Sequence, residues 1–219
     1  AAAQPYPSKP VRVVMGFPPG TTVDVLMRPI AQRLTETLGQ PLVLDNRPGA
    51  TGIIAIETVV RAPADGYTLL ATPGSALTSS PHLHSKITFD TLRDLKPVIQ
   101  LGAFSYVLIA HPGVPAKTVK ELIALARAKP GVLTYGSTGL GSGFHLAGEL
   151  FATMAKVQLS HVPYKGGPAV VTDMLGGRID LMFYSLAVVL PQVRAERLRA
   201  IAVTGLTRDP LLPEVPTVA

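Results

Sequence analysis

TYGSTGLGSGFHLAGELF, residues 134–151, has the pattern of a strand that runs through a Gly/Ser/Thr loop into an amphipathic helix. Leu146, Leu150 and Met154 define the apolar face of that helix. A helix N-terminus leaves several backbone N–H groups without partners and bears a partial positive charge. Because glycine lets a ligand approach these groups closely, the stretch predicts a site for a carboxylate or a phosphate.

The same strand–loop–helix order repeats along the chain in two series, which a long apolar segment joins. Such alternation is typical of an α/β fold with parallel strands. We therefore expect two α/β units connected by an extended crossover. The predicted strands are 12–17, 42–45, 67–71, 98–110, 132–135, 159–162, 179–183 and 198–203, and predicted helices include 53–61, 119–129 and 168–175.

The helix after the first strand has a predicted apolar face and a predicted irregularity. It ends at Gly39, and Pro29 inside it predicts a kink or a delayed start, because proline cannot donate the helical hydrogen bond. Its apolar face is formed by Leu26, Ile30, Leu34 and Leu38.

Three further polar loops follow predicted strands: GFPPGTTVD at 16–24, NRPGATG at 46–52 and HVPYKGGPA at 161–169. Open α/β sheets bind their ligands at the carboxyl ends of the strands. These residues also have purely structural explanations. Asp24 is a residue typical of a helix N-cap or first turn, and Pro48-Gly49 is typical of a tight turn. Four such loops over two units nevertheless indicate a cleft between two domains.

The composition excludes several classes of protein. The chain has no cysteine, which excludes disulfides, a cysteine nucleophile and cysteine-ligated zinc. The net charge is +6, but the basic residues are scattered along the chain, and the chain has no tryptophan. Because nucleic-acid binders usually carry clustered basic residues with aromatic side chains among them, we expect the ligand to be an anionic small molecule and not a nucleic acid. Since no apolar run is long enough to cross a bilayer, we expect no direct membrane insertion.

Catalytic and cofactor signatures are missing. The glycine and serine spacings match neither a phosphate-binding P-loop, nor G-x-G-x-x-G, nor the G-x-S-x-G nucleophile elbow. The histidines are isolated and form no H-E-x-x-H pattern, so we predict no metal and no cofactor. One enzymatic alternative is a hydrolase that uses His145 as a base with Ser137 or Ser142, which would need an orienting carboxylate.

Several segments together resemble the substrate-binding proteins of tripartite tricarboxylate transporters, the Bordetella uptake gene (Bug) family. They are YPSKPVRVVMGFPPG, NRPGATG, ADGYTLL, YGSTGLGSGFHLAGELF, HVPYKGGPA, DMLGGRIDLMF and LPEVPTVA, in that family's order. The resemblance implies a type II periplasmic-binding-protein fold, with two α/β domains that close on a small organic carboxylate without a catalytic step. It also implies delivery to integral-membrane transporter subunits. A sensor role for the same fold is an alternative.

The resemblance further implies a periplasmic protein secreted through a removed signal peptide, which the Ala-rich start AAAQPYPSKP suits. It places the first domain at 1–102, the second at 103–210 and the start of a return crossover at 211–219. Members of that family run further, so we expect the first domain to be incomplete without a C-terminal return segment.

Departures from the family pattern affect the expected ligand. Thr21, Thr22 and Thr51 stand where glycines are common, and Tyr184 stands where the family often has Asp, which disfavours an amino acid as ligand. The expected ligand-binding residues are Phe17, Pro19, Gly20, Thr21, Thr22, Asp24 and Ser75 in the first domain, and Ser137, Thr138, Gly141, Ser142, His145, Tyr164, Lys165 and Tyr184 in the second.

Overall fold

A computed structural model describes residues 6–218, and the chain divides into two compact units between Val98 and Ile99. The expected domain limits at 102/103 and 210/211 stay predictions. Residues 1–5, in the stretch that resembles a mature end left by signal-peptide removal, lie outside the described residues, as does residue 219.

The first unit is built on a three-stranded parallel sheet. Its strands are β1 (Val11–Met15), β2 (Leu42–Asn46) and β3 (Thr68–Ala71), in the order β2-β1-β3. This agrees with the predicted βαβαβ pattern. The helices are α1 (Thr22–Leu38), α2 (Ile53–Val60), α3 (Gly74–Thr78), α4 (Ser80–Leu83) and α5 (Thr91–Asp94), with a short 3-10 turn at Ala50–Gly52 before α2.

The second unit is built on a five-stranded mixed sheet in the order β6-β5-β7-β4-β8. β5 runs parallel to β6 and β7, whereas β4 runs antiparallel to β7 and β8. The strands are β4 (Tyr106–Ala110), β5 (Thr134–Ser137), β6 (Ser160–Pro163), β7 (Leu181–Ser185) and β8 (Arg199–Val203), and the helices are α6 (Val119–Ala128), α7 (Gly143–Ala155), α8 (Gly167–Leu175) and α9 (Leu186–Arg194).

The end of the described chain packs on the second unit. The backbone N–H of Val203 donates to the carbonyl of Pro216 at 2.8 Å, and Val218 N–H donates to the carbonyl of Val203 at 2.9 Å. Leu212 and Val215 lie in the hydrophobic core of this unit. The segment predicted to begin a return crossover therefore lies beside β8 as far as residue 218.

The predicted apolar face of α7 is wrong, and that of α1 is confirmed only at Ile30, which packs against the core. Leu26, Leu34 and Leu38 are exposed on α1, whose buried apolar residues are Met27 and Ala31. Leu146, Leu150 and Met154 are likewise exposed on α7, and the face that packs on the sheet holds Gly148, Phe151 and Ala155. The spacing of the leucines predicts one apolar face on each helix. The face that is buried instead contains a small residue, Ala31 on α1 and Gly148 on α7, where the helix backbone can approach the sheet closely.

Two other expectations need correction. The strand predicted over 98–110 begins only at Tyr106, and the side chains of Val98 and Ile99 are exposed, so no neighbouring strand covers them. α1 begins at Thr22, well before Pro29, so the delayed start does not occur. No prediction covered α9, whose pattern an internal proline obscures.

The parallel strands bring the predicted loops to one edge of each sheet. β1, β2 and β3 all end at the edge where loops 16–21, 47–52 and 72–73 begin. In the second unit, β5, β6 and β7 end together, and antiparallel β4 begins there, because Tyr106 pairs with Ser185. These two edges hold the candidate residues.

Candidate functional site

The loop between β1 and α1 folds around the buried carboxylate of Asp24. Its Oδ2 atom accepts hydrogen bonds from the N–H of Gly20 at 2.9 Å and from Nε of Arg28 at 2.8 Å. The side chain of Asn46 donates to the carbonyl of Phe17 at 2.9 Å. The end of β2 thereby holds the start of this loop in place.

Burial alone would raise the pKa of Asp24, but hydrogen bonds from Arg28 and Gly20 and the charge of Arg28 outweigh it, so the pKa is lowered. The carboxylate is therefore ionised and fully engaged within its own loop. Asp24 lies in the first turn of α1, and the N-cap position belongs to Thr21. This matches the structural explanation of Asp24, whereas a direct contact with a ligand stays a prediction.

Two threonines at the same edge have buried hydroxyls without a partner. Thr22 lies at the start of α1, and Thr72 lies directly after β3. The Oγ1 atom of each has no hydrogen-bond partner among residues 6–218. They are polar groups withdrawn from water, which costs free energy unless a ligand or water completes them. Thr22 is one of the predicted ligand-binding residues, whereas Thr72 was not predicted.

The other candidates of the first unit lie in loops or helices that follow the same strand ends. Gly20 has a left-handed backbone with φ of 79°, which glycine adopts without strain, and its N–H donates to Asp24. The hydroxyl of Thr21 donates to the carbonyl of Pro18 at 2.9 Å, Pro19 is exposed, and Ser75 is half-buried on α3.

The loop between β5 and α7 uses its hydroxyls internally. Ser137 is fully buried, with Oγ 2.7 Å from Nε2 of His161 and 3.1 Å from the N–H of Gly139, which donates to it. Ser142 caps α7 by accepting the N–H of His145 at 3.2 Å. The N–H of Gly141 donates to Nδ1 of His145 at 3.2 Å, so this ring also shapes the loop.

His161, on β6, holds this loop in place through Ser137, and it was not predicted as a site residue. Its ring stacks on Tyr135 with centroids 4.7 Å apart and lies 4.3 Å from the ring of His145. Burial, and then the neighbouring His145, lower the pKa of His161 to about 4. At neutral pH, Ser137 is therefore held by an uncharged imidazole.

The arrangement required by the hydrolase alternative is not formed among the described residues. His145 contacts Ser142 only through its backbone, and the ring on Ser137 belongs to His161. The nearest acid, Glu149, accepts a hydrogen bond from Tyr135 and lies 3.8 Å from Nε2 of His145. Within residues 6–218, no group of three His, Asp or Glu side chains could hold a metal ion.

The loop after β6 places its two candidates differently. The hydroxyl of Tyr164 donates to Oδ2 of Asp173 at 2.6 Å, and burial together with this carboxylate raises the pKa of Tyr164 to about 12. Lys165 is exposed. Tyr164 is thus tied to α8, whereas Lys165 is available to a solvent-borne anion.

Aromatic side chains and one more unpartnered hydroxyl complete the edge of the second unit. Phe144 contacts Tyr106 and Tyr184, with ring centroids 4.9 and 4.7 Å apart. The buried Oγ of Ser185, at the start of α9, has no partner within residues 6–218. Thr138 is buried beside this edge. Tyr106, Phe144 and Ser185 were not predicted, although the pairing of β4 with β7 brings them here.

A sequence profile describes the tripartite tricarboxylate transporter family receptor and matches residues 26–219. The chain belongs to this family. Among curated relatives, protein BugT of Bordetella pertussis is 39% identical over 220 residues, covering 100% of this chain and 67% of BugT. A protein encoded between tcbD and tcbE in a Pseudomonas species is 39% identical over 214 residues, covering 98% and 63% respectively. The chain thus spans about two thirds of these relatives.

Similar solved structures confirm the predicted fold of two α/β domains. A protein of R. palustris solved with adipate has a TM-score of 0.94 and 38% identity, covering 98% of this chain and 72% of that chain. MatC of Rhodopseudomonas palustris, solved with malate, has a TM-score of 0.90 and 28% identity, covering 97% and 72%. The described helices include none that is both long and apolar enough for a membrane span.

Proposed function

We propose that this protein is an extracytoplasmic receptor that captures a small organic carboxylate by closure of its two domains. It delivers the ligand to integral-membrane subunits of a tripartite tricarboxylate-type transporter, after secretion through a signal peptide that is removed. Its role is binding without a catalytic step. Family membership supports the receptor role, and the adipate and malate bound by two solved relatives support the ligand class.

One observation carries the proposal: unpartnered hydroxyls lie at the carboxyl ends of strands in both units. Thr22 and Thr72 follow β1 and β3, Ser185 is the last residue of β7, and the hydroxyl oxygen of each is buried without a partner among residues 6–218. Leaving such a group unpaired costs about 1–3 kcal/mol, so a ligand that accepts its hydrogen bond recovers this cost. A carboxylate is suited to hydroxyl donors, because charge-assisted bonds are about twice as strong as neutral ones.

Thermal shift and calorimetric titration against a library of small carboxylates test the proposal. We expect at least one acid to bind the purified protein and to raise its melting temperature. Thr22→Val and Thr72→Val should weaken that binding by about tenfold each, with little loss of stability, because valine replaces an unpaired hydroxyl by a methyl group.

Thr37→Val is the matched control, since Thr37 lies near the other end of α1 and its hydroxyl donates to the carbonyl of Arg33 at 3.0 Å. It should leave the affinity unchanged. If no carboxylate binds, the proposed ligand class is wrong. If Thr37→Val weakens binding as much as Thr22→Val does, the assignment of the hydroxyls is wrong.

A further inference from the structure

α7 has two apolar faces, and only one of them packs on the sheet. Phe151 and Ala155 lie in the core of the second unit. Leu146, Leu150 and Met154 form the other face at positions i, i+4 and i+8, and their exposed fractions rise along the helix from 37% to 59% and 76%. Single exposed apolar residues are normal, but a continuous stripe of three is typical of a surface that another molecule covers.

α6 lies beside α7 and adds a hollow to the same side of the second unit. The two helices share one core cluster, and Nη2 of Arg127 on α6 donates to the carbonyl of Ala155 on α7 at 2.9 Å. A hollow of about 530 Å³ on α6 is lined by Val119, Lys120, Ile123, Ala124 and Arg127. We call this hollow, together with the exposed stripe of Leu146, Leu150 and Met154, the α6–α7 surface.

The cations of the α6–α7 surface have no carboxylate partners. Lys120, Arg127 and Lys156, which directly follows α7, are exposed, and none of them forms an ion pair within residues 6–218. The acids of the two helices are engaged locally, since Glu121 accepts a backbone N–H before α6 at 2.6 Å and Glu149 accepts a tyrosine hydroxyl of β5. The surface therefore presents positive charge beside apolar side chains.

This charge distribution limits the kind of partner that fits. A second copy of the chain would place the surface against itself about a two-fold axis, so that Lys120 and Arg127 would meet cations of the same surface, and like charges oppose such an interface. The stripe has no Trp, Tyr or Phe, which are the usual anchors at a membrane interface, and this disfavours a lipid bilayer. A protein segment with acidic and apolar side chains matches both features of the surface.

We propose that the α6–α7 surface docks an acidic, amphipathic segment of an integral-membrane subunit of the transporter. The inference rests on the proposed function, because the delivery of the ligand requires a contact of this kind. Apolar side chains of the segment would fill the hollow and cover Leu150 and Met154, and its carboxylates would pair with Lys120 and Arg127. No residue of the α6–α7 surface except Leu146 lies within two positions of a predicted ligand-binding residue, so substitutions elsewhere on it separate docking from ligand binding.

Uptake by cells tests this inference. Deletion of the receptor gene in the source organism should abolish uptake of the radiolabelled carboxylate that the purified protein binds most tightly, and the unmodified gene should restore it. We expect Leu150→Glu and Met154→Glu to lower the restored uptake at least about tenfold, because each places a carboxylate where an acidic segment must pack. The purified variants should bind the same acid with unchanged affinity.

Lys120→Glu tests the charge of the surface, and Leu206→Glu and Lys86→Glu are the matched controls. Leu206 is fully exposed in the second unit, and Lys86 is exposed in the first unit. Lys120→Glu should lower uptake severalfold, whereas the two controls should leave it unchanged. Because all of these side chains are exposed, each variant should keep the melting temperature of the unmodified protein.

The outcomes separate this inference from the proposed function. If no carboxylate binds, or if the deletion strain keeps its uptake, the proposed function is wrong, and the inference is wrong with it. If folded Leu150→Glu and Met154→Glu proteins bind the acid and restore full uptake, only the docking role of the α6–α7 surface is rejected. That role is also rejected if Leu150→Glu abolishes a dimer seen by sedimentation or abolishes binding to protein-free phosphatidylglycerol vesicles, since a second copy or a bilayer then occupies the surface.

Discussion

Replacing Asp24 by Asn is expected to destabilise the first unit by about 2 kcal/mol at neutral pH. Both carboxylate oxygens are engaged, since Oδ2 accepts from Gly20 and Arg28 and Oδ1 accepts from Nη2 of Arg28 at 3.0 Å. An amide keeps one acceptor and turns the other into a donor that faces a guanidinium or a backbone N–H. Hydrogen bonds to charged groups contribute about 1.5–3 kcal/mol, and we use the lower part of that range because Arg28 is exposed.

The pH dependence of this loss has a defined sign. The folded pKa of Asp24 lies below the ordinary value of 3.8, so its stabilisation is complete above that value and disappears as the pH falls through the folded pKa. Urea unfolding at pH 7 and at about pH 3 should therefore show a smaller difference between Asp24→Asn and the unmodified protein in acid.

The control for this comparison is Asp65→Asn, because Asp65 lies in an exposed pair 3.7 Å from Nζ of Lys9. Such pairs contribute about 0–1 kcal/mol. The reasoning fails if Asp24→Asn costs no more than Asp65→Asn at pH 7, or if its full cost persists in acid.

Two further predictions concern the core around α7. Phe151→Ala should lower the free energy of unfolding in urea by about 3–5 kcal/mol, because Phe151 lies in the core. Leu150→Ala should change it by about 0.5 kcal/mol or less, because Leu150 is exposed. Equal losses in the two variants would contradict the observed buried face of α7. Gly148→Ala should cost about 1–3 kcal/mol, because a Cβ atom would lie against the ring of Tyr135. Gly74→Ala, where a Cβ atom would meet nothing within 4 Å, is the control in thermal unfolding.

The order of strands and helices could be predicted because it depends on local periodicity and on glycine and proline. The strand before Gly16 and the helix ending at Gly39 are examples. Which face of a helix is buried depends on long-range packing. Leu150 and Phe151 are adjacent apolar residues, and only the closeness of Gly148 to the Tyr135 ring selects the stripe that holds Phe151.

The candidate loops could also be predicted, since they follow strands and contain glycine and hydroxyl residues. Their internal partners could not. His161 is 24 positions from Ser137, and the two meet because β6 pairs with β5 in a register that sets His161 opposite Tyr135. Tyr106 meets Phe144 because β4 is inserted between β7 and β8, an order that strand patterns do not reveal.

The two units differ in how much hydrogen-bonding capacity they leave for a ligand. In the second unit, the hydroxyls of Ser137 and Ser142 are already bonded to His161, Gly139 and His145, so they fix the loop and have little capacity left. In the first unit, the buried hydroxyls of Thr22 and Thr72 have no partner among the described residues, and in the second unit the same holds for Ser185. If a carboxylate is the ligand, these three hydroxyls should therefore donate to it, whereas Ser137 and Ser142 should act by fixing the shape of their loop. Affinity should then respond directly to Thr22→Val and Thr72→Val.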